Sequence, residues 1–210
     1  EEVLHEAKQG NELLYGSTVK ASDEKIEIDG YKFDSADKDI LTIGTKDNII
    51  NIYYVKRNDL TYTVNYLEKD TNTLLETPKV QDGVTFDTVI ELKNEIISID
   101  GYNYDSADKE TLKITTGENV INIYYTKRND LSYTVNYIEK GTNKVIHEPK
   151  VQNEMTFETI VESNNEIIDI DGYDYDSADK NSIKITTGEN IINIYYTKRN
   201  DLSYTVNYLE

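Results

Sequence analysis

The sequence predicts an α+β, β-rich fold: β-rich modules of about 71 residues repeated in tandem as an elongated array. Three observations carry that prediction. Ile-Asp-Gly-Tyr recurs at residues 28–31, 99–102 and 170–173, while Lys-Arg-Asn-Asp-Leu starts at Lys56, Lys127 and Lys198, and every spacing is 71. Residues 62–132 and 133–203 share about 50 identical positions out of 71, which marks a tandem duplication. The third observation is the alternation of Tyr-Thr-Val-Asn-Tyr, starting at Tyr62, Tyr133 and Tyr204, which is the two-residue period of a strand.

The second copy shows the elements in order. Tyr62, Val64 and Tyr66 share one face of an opening strand over 62–68, and 69–72 forms a turn. A second strand over 74–80 is interrupted by Pro78, which suits an edge or a bulge. Over 85–92, Phe86, Val89 and Ile90 fall at helical spacing behind a capping Thr85, so a helix is predicted. Asp100-Gly101 turns the chain into a short extended stretch holding Tyr102 and Tyr104. A last hairpin is predicted between 112–115 and 120–126. Strand, strand, helix, short strand, strand, strand is the order of a β-grasp-like module, with one helix laid across a mixed sheet. The expected core includes Val64, Tyr66, Phe86, Val89, Ile99, Ile121 and Ile123.

The repeat places boundaries at 1–59 (a first copy lacking its opening strand), 60–130, 131–201, and a spare opening strand at 202–210. Linkers such as 128–132 hold neither glycine nor proline and read as short and stiff. Two pairings of the opening strand stay open. It either lies beside the last strand of its own unit, or turns back to complete the preceding one, with units of 1–71, 72–142 and 143–210. In the first case the headless first unit has an open slot, and strand donation between chains, head to tail, is expected. Without a leader, sorting motif or initiating methionine, the chain reads as a segment of something longer.

Composition narrows the chemistry. A formal charge of −18, from 22 basic and 40 acidic side chains, disfavours nucleic acid as a partner. Zero cysteines exclude disulfides and thiolate chemistry, and no apolar run approaches the roughly 20 residues of a membrane span. The two histidines, His5 and His147, are equivalent in register, yet the middle copy carries Glu76 there, so both read as solvated strand positions. No catalytic residue or cofactor is expected.

Asp-Gly-Tyr-x-(Tyr/Phe)-Asp-Ser-Ala-Asp recurs in each copy and supplies Asp29, Asp34 and Asp37, then Asp100, Asp105 and Asp108, then Asp171, Asp176 and Asp179. The bland reading is backbone chemistry: Asp100 opens a turn and Asp105 caps one helical turn over 106–109. The sharper reading is calcium, for which three carboxylates fall short of the six to eight oxygens required. Lys113 with Asn122, and Lys184 with Asn193, are placed for an isopeptide cross-link, against an ordinary cross-strand polar pair. Of Tyr124-Tyr125 and Tyr195-Tyr196, one ring of each pair faces outward, toward a neighbouring module or a sugar.

The opening Tyr-Thr-Val-Asn-Tyr-Leu-Glu strand, the Gly101-Tyr102 and Gly172-Tyr173 pairs, and the closing Val-Ile-Asn-Ile-Tyr-Tyr-Thr-Lys-Arg strand resemble the mucin-binding-protein (MucBP) domain family. The first hairpin turn departs from the family pattern, with its usual glycine only at Gly141. The resemblance implies a ubiquitin-like β-grasp module on a cell-wall-anchored surface protein of a Gram-positive bacterium. It implies a role in adhesion or spacing, with host mucin, other glycan or extracellular matrix as possible partners. Two functions follow: a stalk that projects a distal adhesive domain, or a multivalent mucin- or glycan-binding array.

Overall fold

A computed structural model of the chain describes residues 2–210; Glu1, with which the first expected unit begins, lies outside the described residues. The first repeat contains β1 (Thr18–Lys20), β2 (Tyr31–Ala36), β3 (Ile40–Thr42) and β4 (Ile52–Lys56). The second contains β5 (Leu60–Glu68), β6 (Lys79–Val84), β7 (Val89–Glu91), β8 (Tyr102–Ala107), β9 (Thr111–Lys113) and β10 (Val120–Lys127). The third contains β11 (Leu131–Glu139), β12 (Lys144–Met155), β13 (Ile160–Glu162), β14 (Tyr173–Ala178), β15 (Ser182–Lys184) and β16 (Ile191–Lys198). Short 3-10 turns at Ala21–Asp23, Leu92–Asn94 and Ser163–Glu166 are the helical elements among the described residues.

By internal contact the described chain forms two compact units, 2–67 with Asn72–Ile96 and Ser106–Tyr124, and Glu68–Thr71 with Ile97–Asp105 and Tyr125–Glu210. The third repeat, wholly in the second unit, shows the architecture best. Its sheet runs β12-β11-β16-β14. β11 and β16 lie parallel from Thr134↔Ile191 to Glu139↔Tyr196, and the outer strands are antiparallel. Strict alternation along β11 puts Leu131, Tyr133, Val135 and Tyr137 on the buried face. They pack with Val161, Ile185, Ile192, Ile194 and Tyr196 in one cluster. Each of these aliphatic side chains contributes about 1.5–3 kcal/mol on leaving water. The second repeat repeats the order as β6-β5-β10-β8, whereas in the first repeat β2 pairs with β4 alone.

Several expectations are corrected. The predicted helix over 85–92 is absent, so the fold is β-rich without an α-helix among the described residues. Asp87 and its equivalent Glu158 sit at φ +67°, in the left-handed region that interrupts a right-handed helix. The chain instead turns, with Thr88 N–H donating to Thr85 C=O at 3.1 Å, and enters β7. β9 pairs with β7, so the predicted hairpin between 112–115 and the last strand does not form. The helical turn expected at 106–109 is replaced by the end of β8. In the expected core, Val64, Tyr66, Ile99, Ile121 and Ile123 are buried, but Val89 is 52% exposed and Phe86 only half-buried. Leu92, Leu112, Ile114 and Tyr125 are core residues outside the expected set, and so is Tyr62, which the alternation places on the face of Val64 and Tyr66. The expected five-residue linker shrinks to Arg128-Asn129-Asp130, because Leu131 already belongs to β11.

Candidate functional site

Two constructions recur at the 71-residue spacing. The first is a polar triad built on a buried glutamate. Tyr62 Oη donates to Glu95 (3.0 Å), and Lys79 Nζ reaches the other oxygen of the same carboxylate at 2.6 Å. Tyr133, Glu166 and Lys150 repeat it at 2.8 and 2.6 Å. Burial, and then the neighbouring carboxylate, raise the Tyr62 and Tyr133 hydroxyls above their ordinary range. The arrangement satisfies a buried charge and leaves no free nucleophile, so it reads as structural.

The second construction joins one repeat to the next. Ile28-Asp29-Gly30-Tyr31 is a turn closed by Tyr31 N–H on Ile28 C=O at 3.0 Å. Gly30 stands at φ +77°, as the third position of a type II turn requires. The Phe86 ring lies against Gly30 so closely that a Cβ there would sit 2.3 Å from Phe86 Cε1. The same ring meets Tyr31 edge-on at 5.8 Å. Phe86 N–H donates to Arg57 C=O at 2.8 Å, and Thr116 Oγ1 to Asp29. Asp87 takes Lys56 at 3.1 Å and Lys113 at 2.8 Å. Arg57 is held across the three-residue connector by a two-pronged bond to Asp59, each prong 3.0 Å.

The second unit contains the same joint. Phe157 lies on Gly101 and meets Tyr102 at 5.6 Å, and its N–H donates to Arg128 C=O at 2.8 Å. Thr187 donates to Asp100 at 2.7 Å, Glu158 takes Lys127 at 3.0 Å and Lys184 at 2.5 Å, and Arg128 grips Asp130. Two ammonium groups hold each carboxyl below the ordinary carboxylate range, Lys113 and then Lys56 for Asp87, Lys184 and then Lys127 for Glu158. Lys56 and Lys127 move up in turn, chiefly through their bonds to those carboxylates. At the third position, Gly172 keeps the same turn at φ +78° with open space where a Cβ would go.

The sequence-predicted aspartates are placed separately. Asp108 accepts from the Asn122 backbone and side-chain nitrogens, and Asp179 does the same with Asn193. Asp105 pairs with Lys69 at 2.7 Å, Asp176 with Lys140, and Asp100 belongs to the joint. Asp171 contributes a nearby negative charge to Arg199. Among the described residues no group of three or more His, Cys, Asp or Glu is placed to hold a metal ion. Lys113 and Lys184 point to Asp87 and Glu158, while Asn122 and Asn193 bond Asn65 and Asn136 at 2.9 Å. The imagined isopeptide partners therefore face different neighbours. His147 lies edge-on to Tyr137, and His5 is exposed. Of the tyrosine pairs, Tyr125 and Tyr196 are the buried members.

Of the joint residues, Phe86 stands out in the sequence only as a candidate for the core and a helical face, and Phe157, Asp87 and Glu158 do not stand out. The signal for them was the pairing of a shared aromatic with an acidic neighbour at one register position, Phe86-Asp87 and Phe157-Glu158.

No family model matches the chain, and no curated protein matches it. Among solved structures, one that it is similar to is described as Streptococcal High Identity Repeats in Tandem (SHIRT) domains 3-4 from cell surface protein. The two share 14% identity over 66% of this chain and 98% of that one, with a TM-score of 0.26. A second, described as Mub-RV, shows 14% identity, the same coverages and a TM-score of 0.24. At that level neither supports an argument about function.

Proposed function

We propose that the chain is a non-catalytic repeat region of a bacterial surface protein, a stalk or spacer that projects an adhesive domain from the cell wall. The observation that supports it is the joint. The same glycine socket, phenylalanine plug, ion triplet and three-residue connector occur twice at 71-residue spacing. A connector this short, with its arginine tied to the aspartate two residues on, leaves little freedom between successive repeats. That property serves reach and spacing, whereas a tether would carry glycine-rich segments. In this reading each repeat is a β-grasp-like module whose helix has been replaced by a turn and a short antiparallel ladder, β7 with β9 and β13 with β15. The localisation is extracellular, with neighbouring repeats as the principal partners.

Small-angle scattering on dilute protein tests it. A compact globule of this length has a radius of gyration near 17 Å. A clearly larger value supports the stalk, and a value at the compact limit overturns it.

One observation favours the second reading, a multivalent adhesin for host mucin or other glycan. Tyr104 and Tyr175 keep equivalent, partly exposed rings, each edge-on to a buried tyrosine, with Phe33 at the same place in the first repeat. Repeated flat rings suit weak sugar stacking. Glycan binding that is lost when Tyr104 and Tyr175 are both replaced by alanine would favour this role. Unchanged binding, or none, leaves the stalk.

A further inference from the structure

We propose that each joint between repeats is a latch over a protease site. An arginine-specific serine protease severs the array after Arg57 or Arg128 only when the phenylalanine leaves its glycine socket. The inference goes beyond the spacer reading and does not depend on it.

The arginines define the site. The chain has three, Arg57, Arg128 and Arg199, each second in a Lys-Arg-Asn-Asp motif. Arg57 lies in the connector between β4 and β5, and Arg128 in the one between β10 and β11. An arginine-specific enzyme therefore finds these two bonds between folded repeats and none within a strand. Both bonds lie at the surface, since Asn58, Asp59, Asn129 and Asp130 are exposed.

Hydrolysis makes fixed demands on the bond. Such an enzyme takes the guanidinium into an acidic pocket and the carbonyl oxygen of the same residue into an oxyanion hole. Its serine oxygen bonds the Arg128 carbonyl carbon. The bond to the Asn129 nitrogen then breaks as that nitrogen takes the serine's proton through a histidine. Water afterwards frees the Arg128 carboxylate and restores the serine.

The closed joint already engages every group the enzyme needs. Arg128 C=O accepts the Phe157 N–H at 2.8 Å, and Arg128 N–H donates to Gly101 C=O at 2.9 Å. Both oxygens of Asp130 hold its guanidinium, at 2.9 and 3.0 Å. Arg57 shows the same set, with Phe86 at 2.8 Å, Gly30 at 2.9 Å and Asp59 at 3.0 Å. Beyond each connector the chain is pinned by Leu60 or Leu131, both 7% exposed.

The ring is the bolt. Phe157 carries the N–H that covers the scissile carbonyl, and its side chain fills the socket at Gly101, whose carbonyl holds the arginine's own N–H. Ring and backbone bonds thus open as one, and the connector comes free on two sides. Release extends readily into β11, whose pairing with β12 is already irregular between Leu131 and Tyr133. Cleavage through such an opening follows the population of the open state.

The test is digestion of the 210-residue chain by an arginine-specific protease, with cleavage after residues 57 and 128 followed by mass spectrometry. A synthetic peptide of residues 122–134 should be cut after Arg128, and the folded chain at least about a hundredfold more slowly. Phe157→Ala should speed cleavage after Arg128 about 30-fold, through lost burial and ring pairing, and leave Arg57 within about twofold. Phe86→Ala should do the reverse. Amide protection at Val135 and Ile194 should be unchanged in Phe157→Ala, because its sheet stays folded. A folded chain cut as fast as the peptide overturns the proposal, as does a peptide that resists cutting. So does a Phe157→Ala rate that is unchanged, that rises equally at both bonds, or that rises only with loss of protection at Val135 and Ile194.

Discussion

Gly101→Ala and Gly172→Ala are the same substitution in the same turn, at φ +77° and +78°, and they should behave differently. Both pay the backbone strain of a Cβ in the left-handed region, about 1 kcal/mol. At Gly172 nothing stands within 4 Å, so strain is the whole effect. At Gly101 the new methyl would lie 2.4 Å from the Phe157 ring, which must leave its socket. Undocking caps the extra cost at the energy of the contact. Half-burial of a phenylalanine is worth about 1 kcal/mol, and the edge-on pair with Tyr102 about 1 more. Gly101→Ala should therefore cost about 3 kcal/mol against about 1 for Gly172→Ala. Native-state hydrogen exchange at the Phe157 amide, which donates to Arg128, reads this locally. A loss of 2 kcal/mol corresponds to roughly 30-fold less protection. In a Phe157→Ala background the excess should vanish, as a double-mutant cycle requires. Equal costs for the two glycines, or an excess that survives without the ring, would refute the socket.

Other substitutions probe the remaining contacts. Tyr133→Phe deletes the hydroxyl on buried Glu166 and should cost about 1.5 kcal/mol by urea denaturation. Asn190→Ala removes the donor to the Ser132, Thr186 and Gly188 carbonyls and should cost about 2–3 kcal/mol. Ser163 is 1% exposed with its hydroxyl unpartnered, at the position of Leu92, so Ser163→Ala should raise stability by about 1 kcal/mol in the same assay. The pH dependence follows from Asp87 and Glu158, both held below the ordinary carboxylate range when folded. Their contribution is present above that range and is lost as pH falls from about 4 through the lower folded values. Melting curves between pH 6 and 2 should show a shallower acid decline in an Asp87→Asn, Glu158→Gln double variant.

The strands were legible wherever one face is dry. Tyr62, Val64 and Tyr66 alternate because β5 turns one side to the core, and the repeat multiplied that signal. The helix over 85–92 was misread because Phe86, Val89 and Ile90 satisfy a helical period for unrelated reasons. Phe86 leaves its own repeat to plug the preceding one, Val89 is largely exposed, and Ile90 belongs to a three-residue strand. A period assumes one environment along a segment, and these residues answer to several. The joint was hidden in the same way. Its ion triplet draws Lys56, Asp87 and Lys113 from positions far apart in sequence, and only the fold brings them within 3.1 Å. The aspartates, prominent as a motif, are spent on amides and single lysines.

The parallel pairing of β11 with β16 has a mechanical consequence. The chain enters the third repeat at one end of this ladder and leaves it at the opposite end. Tension applied through the backbone would pull the two strands along their length in opposite directions. Six residue pairs would then bear the load together in shear, where unzipping a hairpin breaks its bonds in succession. Along that direction the ladder yields only when all six pairs give way together.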